Sequence, residues 1–390
     1  MRIAVTGIGI VSAAGCGVAE TLASLRAERS GIVAAPSHLA TRHRLPVGEV
    51  PQSDAELAAR LGIAGTCSRT ALLGMTAAAE ALADAGGIRR NTALVSATSV
   101  GGMDLTERFF EEFGADDRRG RLRLAAHHDC ADSTLAIARH CGIDGFTTTL
   151  STACSSAANA LMTAARLLRH GMADRVLAGG CDALCRFTIN GFRSLQILDP
   201  APCRPFDASR AGLNLGEGAA YLVLERAETA ARTPYCWLDG FANANDAYHQ
   251  TASSPDGEGD YLAMRGAIEA AGIAAEEVEY VNAHGTGTPN NDLAEGRALR
   301  RLFGRQLPLV SSTKAFTGHT LAAAGAVEAV FAALMLRHGE IYPNLRFAEP
   351  DPQTNLIPVT RYRRMPLRNV LSNSFGFGGN CAALLFTRAE

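Results

Sequence analysis

Four short segments place a thiol, imidazoles and glycine turns where acyl chemistry can be done. The first is Ser151-Thr152-Ala153-Cys154-Ser155-Ser156. It joins a β-branched run at 147–150 to a helical pattern with apolar positions at Leu161, Ala164, Ala165 and Leu168, stopped by Gly171. A cysteine at a helix start meets unpaired backbone amides, and the positive dipole end favours its thiolate. A thiolate at a strand-to-helix elbow attacks acyl carbon, with its own amide placed for the oxyanion. Cys154 is also one of ten cysteines, and the segment alone admits a small core residue as well.

The second segment, His284-Gly285-Thr286-Gly287-Thr288-Pro289, directly follows a hydrophobic run at 278–282. Glycine and proline fix a tight loop at a strand end, where α/β proteins place their sites. His284 there can donate a hydrogen bond to developing negative charge or move a proton. It also reads as a polar residue capping the strand. Asp292 and Glu295 stand three apart at the start of the next helical pattern. Their default role is N-terminal capping and dipole compensation, with orientation of the histidine loop as the alternative.

The third segment, Ser312-Thr313-Lys314-Ala315-Phe316-Thr317-Gly318-His319-Thr320, leads from a strand pattern into an alanine-rich helix. The positive dipole end is expected to hold His319 neutral, so that it donates N–H to an enolate oxygen. Lys314 is the one lysine among 37 basic side chains, the other 36 being arginine. A compact ammonium differs from a guanidinium fork in size and geometry. Its place five residues before His319 marks it for a site. Glu328 is an acid in an apolar helix, costly if buried alone, and pairs with Lys314 if the loop folds back. The fourth segment, Asn373-Ser374-Phe375-Gly376-Phe377-Gly378-Gly379-Asn380, reads as a glycine turn with an exposed amide between two apolar strands. Phe377 can gate a pocket there, or be an incidental aromatic of a hairpin.

These segments hang on a regular framework. Strand patterns occur at 3–6, 93–97, 147–150, 175–178, 221–225, 278–282, 307–311 and 382–386. Helical patterns occur at 70–85, 155–170, 261–271, 292–302 and 321–338. Their alternation gives an α/β fold. Helix, glycine stop, strand and loop follow one another at 75–102 and again at 262–287. Strand, helix and an Arg-His-Gly stop do so at 147–171 and at 307–339. This repeat predicts two related halves, 1–232 and 233–390, with the seam at 230–234.

Charge is balanced at −2 without a basic tract, which argues against nucleic acid as the main partner. No apolar run is read as reaching the ~18 residues of a membrane span. Residues 1–7 lack the apolar stretch of a signal peptide, so the cytoplasm is the expected compartment, with free thiols. Neither Cys181 with Cys185 nor His127-His128 with Cys130 shows zinc-ligand spacing, and no metal is expected. Gly7-Ile8-Gly9 lacks the third glycine of a dinucleotide fingerprint.

In their order, Thr152-Ala153-Cys154-Ser155-Ser156, His284-Gly285-Thr286-Gly287-Thr288-Pro289, Lys314 with Gly318-His319, and Asn373-Ser374-Phe375-Gly376-Phe377-Gly378-Gly379 resemble the elongating β-ketoacyl-(acyl carrier protein) synthases. The resemblance runs from Val5-Thr6-Gly7-Ile8-Gly9 to the last strand and implies a thiolase fold with duplicated αβαβα layers. It implies Cys154 as the acylated nucleophile and His284 and His319 as the decarboxylation pair. Lys314 and Glu328 become its polar support, with Asp292 and Glu295 around the His284 loop. The amides of Cys154 and Phe377 become the oxyanion hole, Phe377 also the gate.

The reaction implied is decarboxylative Claisen condensation of an acyl-enzyme thioester with malonyl-(acyl carrier protein), giving a 3-oxoacyl chain. No metal or dissociable cofactor is implied, because the substrates ride on the carrier's phosphopantetheine. One cysteine with two histidines fits elongation rather than the Cys-His-Asn set of initiating synthases, and Cys154 argues against a chain-length factor. The partners implied are acyl carrier protein and a second subunit, in a homodimer or in a heterodimer with a chain-length-factor-like sister. Arg118, Arg119, Arg121 and Arg123, with Arg42 and Arg44, are candidate patches for an acidic carrier.

Asn190-Gly191-Phe192, Asn245-Asp246-Ala247-Tyr248-His249 and Ser372-Asn373-Ser374 are similar to synthases of aryl-polyene pigment clusters. Two departures are visible: glycine at 287 where many members have serine, and Asn380-Cys381 without the usual threonine. Two other readings stay open, a thiol-dependent acyl hydrolase or acyltransferase, and a non-catalytic scaffold subunit.

Overall fold

In the computed structural model, which describes residues 1–230 and 232–389, ten principal strands form one mixed sheet. Residue 231, inside the expected seam, lies outside the described residues. The strands are β1 (Ile3–Ser12), β2 (Thr92–Ala97), β3 (Thr147–Leu150), β4 (Arg175–Asp182), β5 (Gly218–Arg226), β6 (Cys236–Asn245), β7 (Tyr280–Asn282), β8 (Leu309–Ser311), β9 (Asn369–Phe375) and β10 (Asn380–Arg388). An eleventh, Gly15–Cys16, folds back on β1. Across the sheet the order is β3-β2-β4-β5-β1-β6-β10-β9-β7-β8. From either outer edge inward, two parallel pairings are followed by two antiparallel ones. β1 and β6 meet antiparallel at the centre.

Six helices repeat with the strands. They are α1 (Arg69–Asp84), α2 (Cys130–Cys141) and α3 (Ser156–Arg169), then α4 (Glu258–Ala271), α5 (Pro289–Phe303) and α6 (Ala324–His338). α1, with α2 beside it, covers the outer face of the first five strands; α4, with α5 beside it, covers that of the last five. α3 and α6 pack on each other and touch strands of both halves, which makes them the middle of five layers. The expected αβαβα arrangement is the one observed.

The middle layer explains the composition of α6, which is apolar all round because it has no solvent side. The stretch Leu321–His338 is 18 residues long with a mean hydropathy of 1.4, so a run of membrane-spanning length does exist, contrary to the sequence reading. Its sides meet strands and α3, and 89 % of it is buried inside the protein. The N-terminal glycines also find their use here. A Cβ on Gly9 would lie 2.1 Å from Ala77 O, and one on Gly7 2.4 Å from Ala81 O, so glycine lets α1 press on β1. Gly240 in β6 does the same for α4, where a Cβ would lie 2.1 Å from Ala267 O. β6 itself escaped the sequence reading because its glycine, aspartate and asparagines sit on a half-exposed strand.

Candidate active site

Cys154 lies in the elbow between β3 and α3, one residue before the Ser155 N-cap. Ala153 takes φ +53°, a left-handed conformation that costs a residue with a Cβ on the order of 1 kcal/mol. Ser156 Oγ holds this bend by donating to Ala153 O (2.5 Å) and accepting from Thr152 N (2.8 Å). Cys154 is buried. Burial pushes its thiol up to about 11, against the Lys314 charge and the Phe377 amide. The expected thiolate is therefore not the resting state; desolvation outweighs the helix start and the sulfur keeps its proton.

His284 and His319 stand edge to face, with ring centroids 5.2 Å apart at 84°. One nitrogen of each and the Cys154 sulfur all lie within 4.8 Å of one another. Burial lowers both imidazoles well below their usual pKa, and the Lys314 charge adds to it. His319 is neutral as expected but not through a helix dipole, since α6 starts only at Ala324, after a 3-10 turn at Leu321–Ala323. Its backbone is tied, with N–H to Asn214 O (2.8 Å) and its carbonyl accepting from Gly216 N (2.9 Å). Among the described residues neither ring nitrogen has a partner. A buried imidazole with open nitrogens is set to bond a group that enters the cavity.

Lys314 Nζ lies 3.2 Å from His284 Nδ1 and is ion-paired with Glu328, both side chains buried. An ammonium only donates, so Nδ1 accepts and Nε2 carries the imidazole proton. Burial pushes the Glu328 carboxyl up to about 7, with Lys314 opposing it. A thiol and two imidazoles also match zinc ligands in type. The ammonium beside His284 opposes a divalent cation there.

Asp292 and Glu295 serve the histidine loop, and Thr288 is the N-cap of α5 with Pro289 after it. Glu295 accepts from His284 N and Gly285 N, both at 2.8 Å, and from Asn373 Nδ2 at 3.0 Å. Asp292 accepts from Gly287 N (3.1 Å) and Phe206 N (2.7 Å). Burial pushes Glu295 up to about 7, from a usual 4.5, despite those donors. The native carboxyl thus holds its proton more tightly than the unfolded chain does, and stability falls as pH rises from about 4.5 to about 7. Glu295→Gln is expected to remove about 3 kcal/mol of that fall, read from urea midpoints across the interval. An unchanged slope would place the titration elsewhere.

Gly287 takes φ +85°, and a Cβ there would lie 2.8 Å from Gly212 O, so serine does not fit this loop. Gly287→Ser is expected to cost about 1–3 kcal/mol, seen as a lowered denaturation midpoint. An undiminished midpoint would mean the loop relaxes freely.

The Gly376–Asn380 turn closes over the elbow. A Cβ on Gly376 would lie 3.2 Å from Cys154 N and 3.1 Å from Thr152 O. Phe377 stacks on Phe192, with centroids 5.7 Å apart and planes 20° apart. A cavity of ≈350 Å³ opens here, with apolar walls from Phe192, Ile197, Leu213, Phe375 and Phe377 and polar ones from Thr286, Thr288 and Asp246. Cys154, His284 and His319 all line it. A larger cavity of ≈480 Å³ surrounds the Arg69 ion pairs with Asp54 and Glu217 and contains none of these groups.

Residues 1–230 match the family described as "Beta-ketoacyl synthase, N-terminal domain", and residues 235–348 match its C-terminal domain. The chain belongs to the β-ketoacyl synthase family. A 3-oxoacyl-[acyl-carrier-protein] synthase 2 of Coxiella burnetii is 33 % identical over 99 % of this chain and 98 % of its own. The enzyme of the same name from Staphylococcus aureus is 38 % identical over 251 residues, and that match spans 61 % of each chain. Among solved structures, the ishigamide ketosynthase/chain length factor superposes with a TM-score of 0.94 at 31 % identity, over 100 % of this chain and 99 % of that one. The ketosynthase ApeO in complex with its chain length factor ApeC, from Xenorhabdus doucetiae, superposes at 0.86 and 31 % identity, over 100 % and 98 %.

This β-ketoacyl synthase thus gathers Cys154, His284, His319, Lys314, Glu328, Asp292, Glu295 and Phe377 around one cavity or directly behind it. The sequence reading missed Asp182. It accepts from Thr98 Oγ1 (2.5 Å), Ser99 N (2.9 Å) and Val100 N (3.1 Å) and also from Ala322 N (2.8 Å). It therefore ties a first-half loop to the turn behind His319. The available signal was an acid at the end of an apolar strand.

Proposed function

We propose that this β-ketoacyl synthase elongates acyl chains by decarboxylative Claisen condensation. The observation that carries this reading is one thiol and two neutral imidazoles on one cavity, within 4.8 Å of one another. An acyl group first moves from carrier phosphopantetheine to Cys154. The sulfur–carbon bond to Cys154 forms, the pantetheine thioester breaks, and the cysteine proton leaves on the pantetheine sulfur. The amides of Cys154 and Phe377 stabilise the tetrahedral oxyanion.

Malonyl-carrier protein enters next. Loss of carbon dioxide leaves an enolate whose oxygen takes hydrogen bonds from His284 Nε2–H and from His319. The enolate carbon attacks the Cys154 thioester, the carbon–carbon bond forms, the carbon–sulfur bond breaks, and the departing cysteine sulfur takes a proton from water. The product is a 3-oxoacyl chain longer by two carbons. A hydrolase uses one histidine, and a second, buried with both ring nitrogens open, has no task there.

Similarity to two ketosynthase and chain length factor assemblies supports a heterodimer with a sister subunit, and the reaction requires acyl carrier protein as partner. We place the activity in the cytoplasm and keep the aryl-polyene class as the pathway reading, on the motifs named for it. For carrier docking, Arg121 is bound to Glu112 and Arg119 to Asp116, which spends part of that patch. Arg42 and Arg44 flank His43, which contacts Arg193 and Asn190 on the helix that carries Phe192.

Incubation with acyl- and malonyl-carrier protein, followed by mass spectrometry of carrier and enzyme, tests the reading. The expected products are an acyl group on Cys154 and a carrier-bound 3-oxoacyl chain, both abolished by Cys154→Ala. Free acid as the product points to hydrolysis and overturns the proposal.

A further inference from the structure

We propose that Asn380 is a positioning residue that holds the two oxyanion amides, those of Cys154 and Phe377, on one frame. This rests on the proposed role of Cys154 as the acylated nucleophile. The Asn380 side-chain oxygen accepts from Ser155 Oγ at 2.7 Å, Asn159 Nδ2 at 2.8 Å and Asn243 Nδ2 at 2.8 Å. Asn159 Nδ2 donates also to Thr152 Oγ1 at 2.9 Å, and Asn243 Nδ2 to Asn159 Oδ1 at 3.0 Å. One amide oxygen therefore gathers α3, the elbow and β6. The backbone of the same residue closes the facing turn, where Gly376 N donates to Asn380 O at 2.9 Å. Asn380 thus touches the Cys154 elbow through its side chain and the Phe377 turn through its main chain.

A local rule is broken to make this junction. Ser155 is the N-cap of α3, yet its hydroxyl makes no cap bond. Serine at that position ordinarily contributes about 1 kcal/mol by capping. Here Oγ is directed instead at Thr152 O and Asn380, both 2.7 Å away. A site that gives up a cap to fix two loops against each other is one where geometry counts for more than helix stability. Threonine keeps an oxygen at position 380 but places it differently. A threonine oxygen sits one bond closer to the backbone and cannot reach all three donors.

The test separates oxyanion geometry from general damage. Acyl transfer from acyl-carrier protein to Cys154 passes through an oxyanion, while alkylation of Cys154 by iodoacetamide is a displacement at saturated carbon and does not. Asn380→Leu keeps the branched heavy-atom outline, with somewhat larger methyl groups, and removes the acceptor. Its acylation rate, from quenched-flow mass spectrometry, is expected to fall about 10²-fold, with alkylation changed less than about threefold. Asn380→Thr is expected to fall between, and carries the comparison if the leucine variant does not fold. Unchanged acylation, or an equal loss in both reactions, overturns the proposal. Wild-type enzyme that takes no acyl group on Cys154 overturns the proposed function itself.

Discussion

His319→Ala is expected to slow malonyl-carrier decarboxylation by about 10²–10³-fold while acyl transfer to Cys154 stays within about tenfold of the parent. The asymmetry follows from what each group touches. In the proposed mechanism the acyl oxyanion meets backbone amides from the elbow and the Gly376–Asn380 turn, which do not pass through His319. The enolate oxygen instead needs donors that are neutral before the reaction, since a charged imidazole in this buried site would have to be desolvated. Burial and the Lys314 charge hold His319 neutral, and its ring nitrogens are open to the cavity. Alanine deletes that donor and leaves the fixed backbone at Asn214 and Gly216 in place. Carbon dioxide release and acetyl-carrier formation measure the step, and an undiminished rate would remove His319 from the chemistry.

Lys314→Arg is expected to lower condensation about 10²-fold although the charge is kept. Lys314 and Glu328 are 2 % and 3 % exposed, so the pair has no solvent to relax into. The ammonium serves two partners at once, Glu328 and His284 Nδ1. A planar guanidinium is larger and presents its N–H groups in a fixed fork, so meeting Glu328 displaces the imidazole. Malonyl decarboxylation and condensation should fall together, because both depend on the orientation of His284. Wild-type turnover from the arginine variant would return the lone lysine to an accident of composition.

The fold was legible where periodicity and punctuation agree. The repeat of glycine stops, strands and helices along the chain is matched in the sheet, where each half runs from its edge inward as its third, second, fourth, fifth and first strand. What the sequence could not show is the pairing of β1 with β6 across the centre or of β6 with β10 beside it, since both join elements distant in the chain. The site residues were legible because strand ends followed by glycine are few. Their electrostatics were not. A helix start suggested a thiolate at Cys154 and a dipole at His319, whereas burial and one buried ammonium set both. Asp292 and Glu295 looked like caps because a carboxylate bonding amides in the preceding loop has the same spacing as one bonding its own helix. Asp182 offered only an acid at a strand end and the Asn159–Asn243–Asn380 group offered no local pattern, because each acts between segments that meet only in three dimensions.

The strand order carries a consequence for how this chain is made. β9 and β10 follow every other principal strand in the chain, yet they lie inside the sheet, between β6 and β7. As the ribosome delivers the protein, β6 and β7 must wait with open hydrogen-bonding edges until these strands insert, and such edges invite pairing with other chains. The Phe377 amide arrives in the same insertion, between β9 and β10. The nascent chain therefore carries Cys154 well before the Phe377 amide is in place. The cavity that Cys154 lines is walled in part by Phe375 and Phe377, so it is closed only once the last two principal strands are in place.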